Sequence, residues 1–202
     1  MEQIRQGLTD VRGTGAVLVQ PYILARLGEA ATRHGQPEEG MAFVTEAVAL
    51  LQRTGERWYE AEVVRLQGEL TLQRVRVHRR VKHAPTHTMP REGSTNPSAL
   101  PSPSACDDRL QEAESYFSRA IAIAHHQSAK SLELRAVMSL SRLWQQQGKQ
   151  KEAHELLSEI YGWFTEGFDT KDLQEAKTLL DDLKEGAPSL LEGRSRHGSW
   201  SS

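Results

Sequence analysis

Three nine-residue segments of this chain share one pattern of small and apolar positions: EGMAFVTEA at residues 39–47, EAESYFSRA at residues 112–120 and EAHELLSEI at residues 152–160. The last two segments begin 40 residues apart, and Thr14-Gly15 and Thr54-Gly55 are separated by the same 40 residues. The first segment joins the series once a 33-residue insertion is set aside. Such a fixed period is typical of solenoids, in which two-helix units bury their apolar faces against each other. The pattern therefore predicts an all-α protein and favours binding over catalysis.

The composition is typical of a helical protein, and the net charge is small. Of the 202 residues 38% are hydrophobic and only 6% aromatic, and the formal net charge is −2. A net charge this close to zero gives no reason to expect a nucleic acid or an anionic membrane as the partner. The single cysteine, Cys106, excludes an internal disulfide framework, and no apolar run is long enough to cross a membrane. We expect a cytoplasmic protein with no membrane partner, and the net charge argues against a nucleic-acid partner.

Helix start and stop signals divide the chain into four parts. Prolines at 21 and 37 are suited to first helical turns, and glycines at 35, 55, 148 and 186 to helix ends. We expect Asp107 or Asp108, Ser131, and Asp169 or Thr170 to be N-caps. Trp58 is assigned to the apolar stripe of a helix that ends near Arg74. The expected organisation is repeat units (1–74), a disordered insertion (75–106), further units with a capping helix (107–186) and a disordered tail (187–202).

The insertion begins with a basic run and continues with a proline-rich stretch. Residues 74–91 hold six Arg or Lys and no acid, and residues 85–103 hold five of the eight prolines. Repeated prolines prevent a continuous helix, and no core can form from such a composition. Arg76, Arg79 and Arg80 are candidate contacts for an acidic partner or nucleic acid. The alternative is that they belong to a solvated loop.

The first repeat is expected to be incomplete. By the register of the repeat, residues 1–15 correspond to 41–55, so Ile4, Leu8 and Val11 form the stripe of a second helix without its partner. An uncapped solenoid end leaves an apolar patch. We expect the chain to be the C-terminal part of a longer array, with a first helix that frays or dimerises.

Small residues recur where paired helices would cross closely, which resembles the tetratricopeptide repeat. One position in the first helix of each predicted pair is always small, and it is occupied by Gly28, Gly68 and Ser141. An equivalent small position in the second helix of a pair is occupied by Ala113 and Ala153. HEAT-type repeats also have periods of this length, but these small positions favour the tetratricopeptide pattern. The resemblance implies a superhelix of about three helix pairs with a terminal capping helix.

Three longer segments resemble the C-terminal tetratricopeptide region of large bacterial signalling proteins: TGERWYEAEVVRLQGEL, AESYFSRAIAIAHHQSAKSLELRAVMSLSRLWQQQGK and LLSEIYGWFTEGFDTKDLQEAKTLLDDL. In that family a class III adenylate or guanylate cyclase domain, or another effector, precedes an ATPase and then the helical array. This chain carries neither a cyclase nor an ATPase domain. The resemblance implies a non-catalytic scaffold that binds a protein partner or the upstream domains. The alternative is the sensor region of an ATP-dependent transcriptional activator.

No motif in the sequence predicts chemistry, so we expect no catalytic, cofactor-binding or metal-binding residues. A phosphate-binding GxxxxGK[ST] motif is absent. The spacing of His78, His83 and His87 with Cys106 fits no closed zinc site. His125-His126 is better explained by a favourable interaction with a helix dipole. The pairs Asp107-Asp108 and Asp181-Asp182 are better explained as a helix cap and a solvated helix face.

An aromatic run near the C-terminus is the other candidate binding site. It consists of Tyr161, Trp163, Phe164 and Phe168. Aromatic residues anchor many protein interfaces, so the run could be an exposed hot spot. The alternative is that the four rings pack the last unit against the terminal helix.

Overall fold

A computed structural model describes residues 2–15, 17–82 and 103–185 of the chain. These residues form eight α-helices: α1 Glu2–Thr14, α2 Gln20–Arg33, α3 Pro37–Thr54, α4 Glu60–Lys82, α5 Pro103–His126, α6 Lys130–Gln146, α7 Gln150–Tyr161 and α8 Lys171–Glu185. No strand occurs among the described residues, and the prediction of an all-α protein is confirmed. By its internal contacts the chain divides into two compact units, residues 1–140 and 141–202, with the boundary inside α6.

Most predicted helix ends agree with the structure. Pro21 lies in the first turn of α2, and Pro37 begins α3. Gly55 ends α3 in the left-handed conformation, at φ 71°, and its backbone N–H donates to the Leu51 carbonyl. A left-handed residue costs little at glycine because glycine has no Cβ. The predicted stops at Gly35 and Gly148 also have positive φ, at 78° and 81°.

Several predicted boundaries differ from the structure. Helix α4 continues past Arg74 to Lys82, and α5 begins at Pro103, so the predicted insertion at 75–106 shortens from both sides. Val75 is only 2% exposed, and the residues after it include good helix formers, which explains the extension. Asp107, Asp108 and Ser131 lie inside helices rather than at N-caps. Residues 83–102 of the insertion, the predicted stop at 186 and the predicted tail at 187–202 lie outside the described residues.

The helices pair at crossings that follow the sequence repeat. A Cβ on Gly28 would come within 2.6 Å of Val44 Cγ2, and one on Gly68 within 2.5 Å of Phe117 Cε1. At the equivalent position in the second compact unit, the Ser141 hydroxyl donates to the Ala153 carbonyl at 3.2 Å. Three helix pairs (α2 with α3, α4 with α5, α6 with α7) therefore cross at equivalent small residues. The packing within each unit is consistent with a helical repeat.

Each pair buries its apolar face. In the first unit one core cluster joins α2, α3, α4 and the turn before α4, with Leu24, Val44 and Leu70 at most 1% exposed. A second cluster joins Val64 of α4 to Ala120 of α5 and Ala136 of α6. In the second unit α7 contacts α8, and Leu157 and Leu183 are buried. Within the first unit, the α2–α3 pair thus shares its core with α4, and the α4–α5 pair shares its core with the N-terminal part of α6.

The turn between α5 and α6 has a left-handed residue that is not glycine. Ser128 has φ 54°, and it occupies the same repeat position as Gly15 and Gly55, whose φ values are 72° and 71°. A side chain in this conformation costs the folded state about 1–2 kcal/mol. This cost is larger than the free energy by which glycine favours the unfolded chain through its extra conformational entropy.

We therefore expect Ser128→Gly to raise the free energy of unfolding by about 0.5 kcal/mol, measured by urea denaturation. Ser131→Gly is the control, because it places glycine inside α6 and should lower the free energy of unfolding by several tenths of a kcal/mol, roughly the helix-propensity difference. A loss of stability in Ser128→Gly would contradict this account of the turn.

Candidate protein-interaction surfaces

A buried ion network connects α4 to α6 in the first compact unit. The Arg65 guanidinium donates two hydrogen bonds to the Glu62 carboxylate, at 2.9 and 2.8 Å. Arg135 forms an ion pair with the same carboxylate at 2.8 Å. Ser139 accepts from Arg65 at 3.2 Å and donates to Glu69 at 2.6 Å. The Glu62 side chain is 0% exposed, so this network fixes how α6 lies against α4.

The charges of the network hold one another in their ionised forms. Burial tends to raise the pKa of Glu62, but the hydrogen bonds and charge of Arg65, with Arg135 and Arg26, outweigh burial and lower it. Burial likewise opposes the charge of Arg65, but Glu62 reverses the effect and raises the pKa of Arg65. Because each charged group has partners, the network stabilises the packing of the first compact unit.

An exposed aromatic surface lies where the turn before α2 meets the turn before α4. The Trp58 indole N–H donates to the Leu18 carbonyl at 3.3 Å, and the rings of Tyr22 and Trp58 lie 6.0 Å apart. Beneath them Tyr59 packs edge-on against Tyr22 at 4.8 Å and is only 8% exposed. We call Leu18, Tyr22 and Trp58 the Trp58 patch.

The Trp58 patch is apolar and open to solvent. Leu18 is 59% exposed, Trp58 50% and Tyr22 37%. Sequence reasoning missed this surface, because it assigned Trp58 to the buried stripe of a helix, whereas α4 begins two residues later. The available signal was the repeat itself: Leu18 and Trp58 are one repeat period apart, both in turns between helix pairs. Large exposed apolar residues that contact each other are typical of interaction sites.

Tyr59 provides a pH-dependent test of how this surface is packed. Burial, together with the charge of Glu62, raises the pKa of the Tyr59 hydroxyl to about 12. A raised pKa in the folded state means that the stabilising contribution is complete below the ordinary pKa of 10 and is lost as the pH rises towards 12.

We expect the wild-type protein to lose about 2 kcal/mol more stability than Tyr59→Phe between about pH 9 and about pH 12. Urea denaturation across this range measures the difference. Parallel pH profiles of the two proteins would show that the hydroxyl is not buried as described.

The predicted aromatic run at 161–168 forms a turn between α7 and α8. The rings of Tyr161 and Phe168 lie 5.8 Å apart, and those of Trp163 and Phe164 meet edge-on at 5.2 Å. Trp163 is 58% exposed and Phe168 46% exposed. The structure thus brings the four predicted residues together as two ring pairs. Since one ring of each pair is largely exposed, packing against the terminal helix does not account for the whole run.

The second compact unit also has a polar groove of about 570 Å³ between α6 and α8. Arg142 of α6 pairs with Glu175 of α8 at 3.1 Å within this groove. Three glutamines line it, at positions 145, 146 and 174. A glutamine amide both donates and accepts hydrogen bonds, so these side chains match the groups of a peptide backbone.

The basic run at residues 74–91 begins with a residue that already has a partner. Arg74 forms a two-fold hydrogen-bonded pair with Glu38 of α3, at 3.0 and 2.6 Å. The backbone of Arg76, Arg79 and Arg80 continues α4. Their side chains lie outside what the structure describes, so their predicted contacts with a partner stay a prediction.

Among the residues whose side chains the structure describes, no group of three His, Cys, Asp or Glu could hold a metal ion. His78 has only its backbone described, and His83 and His87 lie outside the described residues. In the same part of the chain no helix has the length and apolar character to cross a membrane. Comparison with known proteins found no matching family model and no matching curated sequence.

Proposed function

We propose that this chain is a non-catalytic, protein-binding scaffold built from tetratricopeptide-like helix pairs. The observation that carries the proposal is the equivalent crossing of the three pairs at Gly28, Gly68 and Ser141. Small residues that repeat at helix crossings serve packing and not chemistry. They leave the outer surfaces and turns of a repeat protein free to recognise other chains.

The exposed aromatic surfaces support a protein as the ligand. Trp58 and Trp163 each lie in a turn between helices and are at least half exposed. Tryptophan and tyrosine contribute disproportionately to binding energy in protein interfaces. In the second unit the glutamine-lined groove offers hydrogen-bonding groups suited to an extended peptide.

The resemblance of the repeat segments extends the proposal to a biological setting. We propose that the scaffold is the C-terminal regulatory region of a cyclase- and ATPase-type bacterial signalling protein. Its partner is then another protein or the upstream domains of the same chain. The support is the YGWFTEGFDT segment, which forms the aromatic turn with two exposed rings.

Selection from a phage-displayed library of random dodecapeptides tests the binding function. We expect the intact protein to enrich related peptides, and the synthetic peptides to bind with one-to-one stoichiometry in calorimetry. Trp58→Ala and Trp163→Ala should show which aromatic surface the peptides use, with Lys151→Ala, an exposed residue of α7, as the control. Failure to enrich any peptide, under conditions that enrich ligands of a known peptide-binding protein, would contradict the proposal.

A further inference from the structure

A second recessed surface lies on the first compact unit, between α3, α4 and α5. It is a cleft of about 240 Å³. Its apolar lining comes from Val48, Leu51 and Val64, of which Leu51 is 5% and Val64 2% exposed. This volume is below the roughly 300 Å³ at which pockets for whole small molecules begin. The cleft is therefore suited to one or two side chains of a larger ligand.

Two arginines and one glutamate form the charged rim of the cleft. Arg57 donates to both oxygens of Glu60, at 3.0 and 2.9 Å. Arg119 of α5 approaches the same carboxylate only to 3.9 Å, an ion pair too long for a hydrogen bond. The arginine side chains are 68% and 59% exposed, whereas that of Glu60 is 11% exposed. The rim therefore has a net positive charge on its exposed side.

The backbone holds Arg57 at this position. Its carbonyl accepts a hydrogen bond from the Gln127 side chain at 2.6 Å and another from the Glu60 backbone N–H at 3.1 Å. The turn that bears Arg57 is thus tied to the start of α4 and to the turn between α5 and α6. A site whose backbone is fixed before binding loses less entropy when the ligand binds.

We propose that this cleft binds an acidic peptide segment of a partner protein, with a carboxylate between Arg57 and Arg119 and an adjacent aliphatic side chain on the apolar lining. The inference rests on the proposed function and names the chemistry of the partner. A guanidinium matches a carboxylate through two parallel hydrogen bonds, and Arg119 has donors that Glu60 does not reach. The apolar lining favours a peptide over a nucleic-acid backbone, whose phosphates would leave it uncovered.

The test repeats the random dodecapeptide selection with the wild-type protein and the double variant Arg57→Gln, Arg119→Gln. We expect the wild-type protein to enrich a family of peptides with Asp or Glu next to Leu, Ile or Val. The double variant should not enrich this family. Synthetic members of the family should bind the double variant at least tenfold more weakly than wild type, and replacing their acidic residue with its amide should have the same effect.

A matched control and salt dependence separate this inference from the broader proposal. Lys151→Gln removes one exposed positive charge from α7 in the other unit and should leave the dissociation constant unchanged. Raising NaCl from about 50 mM to about 500 mM should weaken wild-type binding and affect the double variant little. Enriched peptides that lack acidic residues, or that bind the double variant equally well, would overturn the inference while the binding function stands. The absence of any enriched peptide would overturn both.

Discussion

Replacing Glu62 with alanine is expected to lower the free energy of unfolding by about 3–5 kcal/mol, because it leaves buried Arg65 without its main partner. The Arg65 side chain is only 9% exposed and donates two hydrogen bonds to Glu62. Urea denaturation at neutral pH measures the loss. The control is Glu38→Ala, which removes the 71% exposed partner of Arg74 and should cost no more than about 1 kcal/mol. Equal losses in the two variants would contradict a buried network.

Glu62→Ala should also change how the free energy of unfolding depends on pH in the acidic range. Because the folded-state pKa of Glu62 is lowered, its stabilising contribution is present above the ordinary glutamate pKa and is lost as the pH falls through the folded value. Wild type should therefore lose stability over this acidic range more steeply than Glu62→Ala. Identical acid profiles would show that Glu62 is not held in its ionised form by the network.

Replacing Phe117 with alanine is expected to cost about 3–5 kcal/mol, because this large side chain is fully buried. Its ring fills the space above Gly68, where α4 and α5 cross. Gly68→Ala alone should cost about 1–3 kcal/mol, because the added methyl group would lie 2.5 Å from Phe117 Cε1. In the Phe117→Ala background the methyl group has space, so Gly68→Ala should cost less by about 1 kcal/mol or more.

Gly7→Ala is the control for this cycle. Gly7 lies in α1, and outside its chain neighbours and the nearby backbone of α1 no heavy atom lies within 4 Å of the position that its Cβ would take. Because alanine has the higher helix propensity, this substitution should stabilise the protein by several tenths of a kcal/mol, up to about 1. Additive costs of Gly68→Ala and Phe117→Ala would show that the two residues do not share the crossing.

The parts of the fold that depend on short-range signals could be predicted from the sequence. Gly35 and Gly55 end helices because a left-handed turn favours glycine, and the same rule identifies Gly148. Ser128 takes the same left-handed conformation although it is not glycine, so the residue type at this position did not indicate the turn. The start of α5 was placed too late because Asp107 and Asp108 are typical N-cap residues.

Surfaces formed by distant residues were harder to predict. The partners of Glu62 include Arg135, which is remote in sequence and belongs to the next helix pair. The Trp58 patch depends on α4 beginning at Glu60 and on a hydrogen bond to Leu18. The aromatic run at 161–168 could be named from the sequence because its four residues are close together in the chain, and its role in binding stays a prediction. Which aromatic residues are buried depends on tertiary packing, which the local sequence pattern around Trp58 did not indicate.

The most direct test of the repeat is to measure proton contacts at its helix crossings. The structure predicts nuclear Overhauser effects from the Gly28 Hα protons to the Val44 methyl groups, from those of Gly68 to the Phe117 ring, and from Ser141 to Ala153. We expect all three, since equivalent crossings define a helical repeat. Helical chemical shifts with none of these contacts would contradict the central claim that the pairs cross at equivalent small residues.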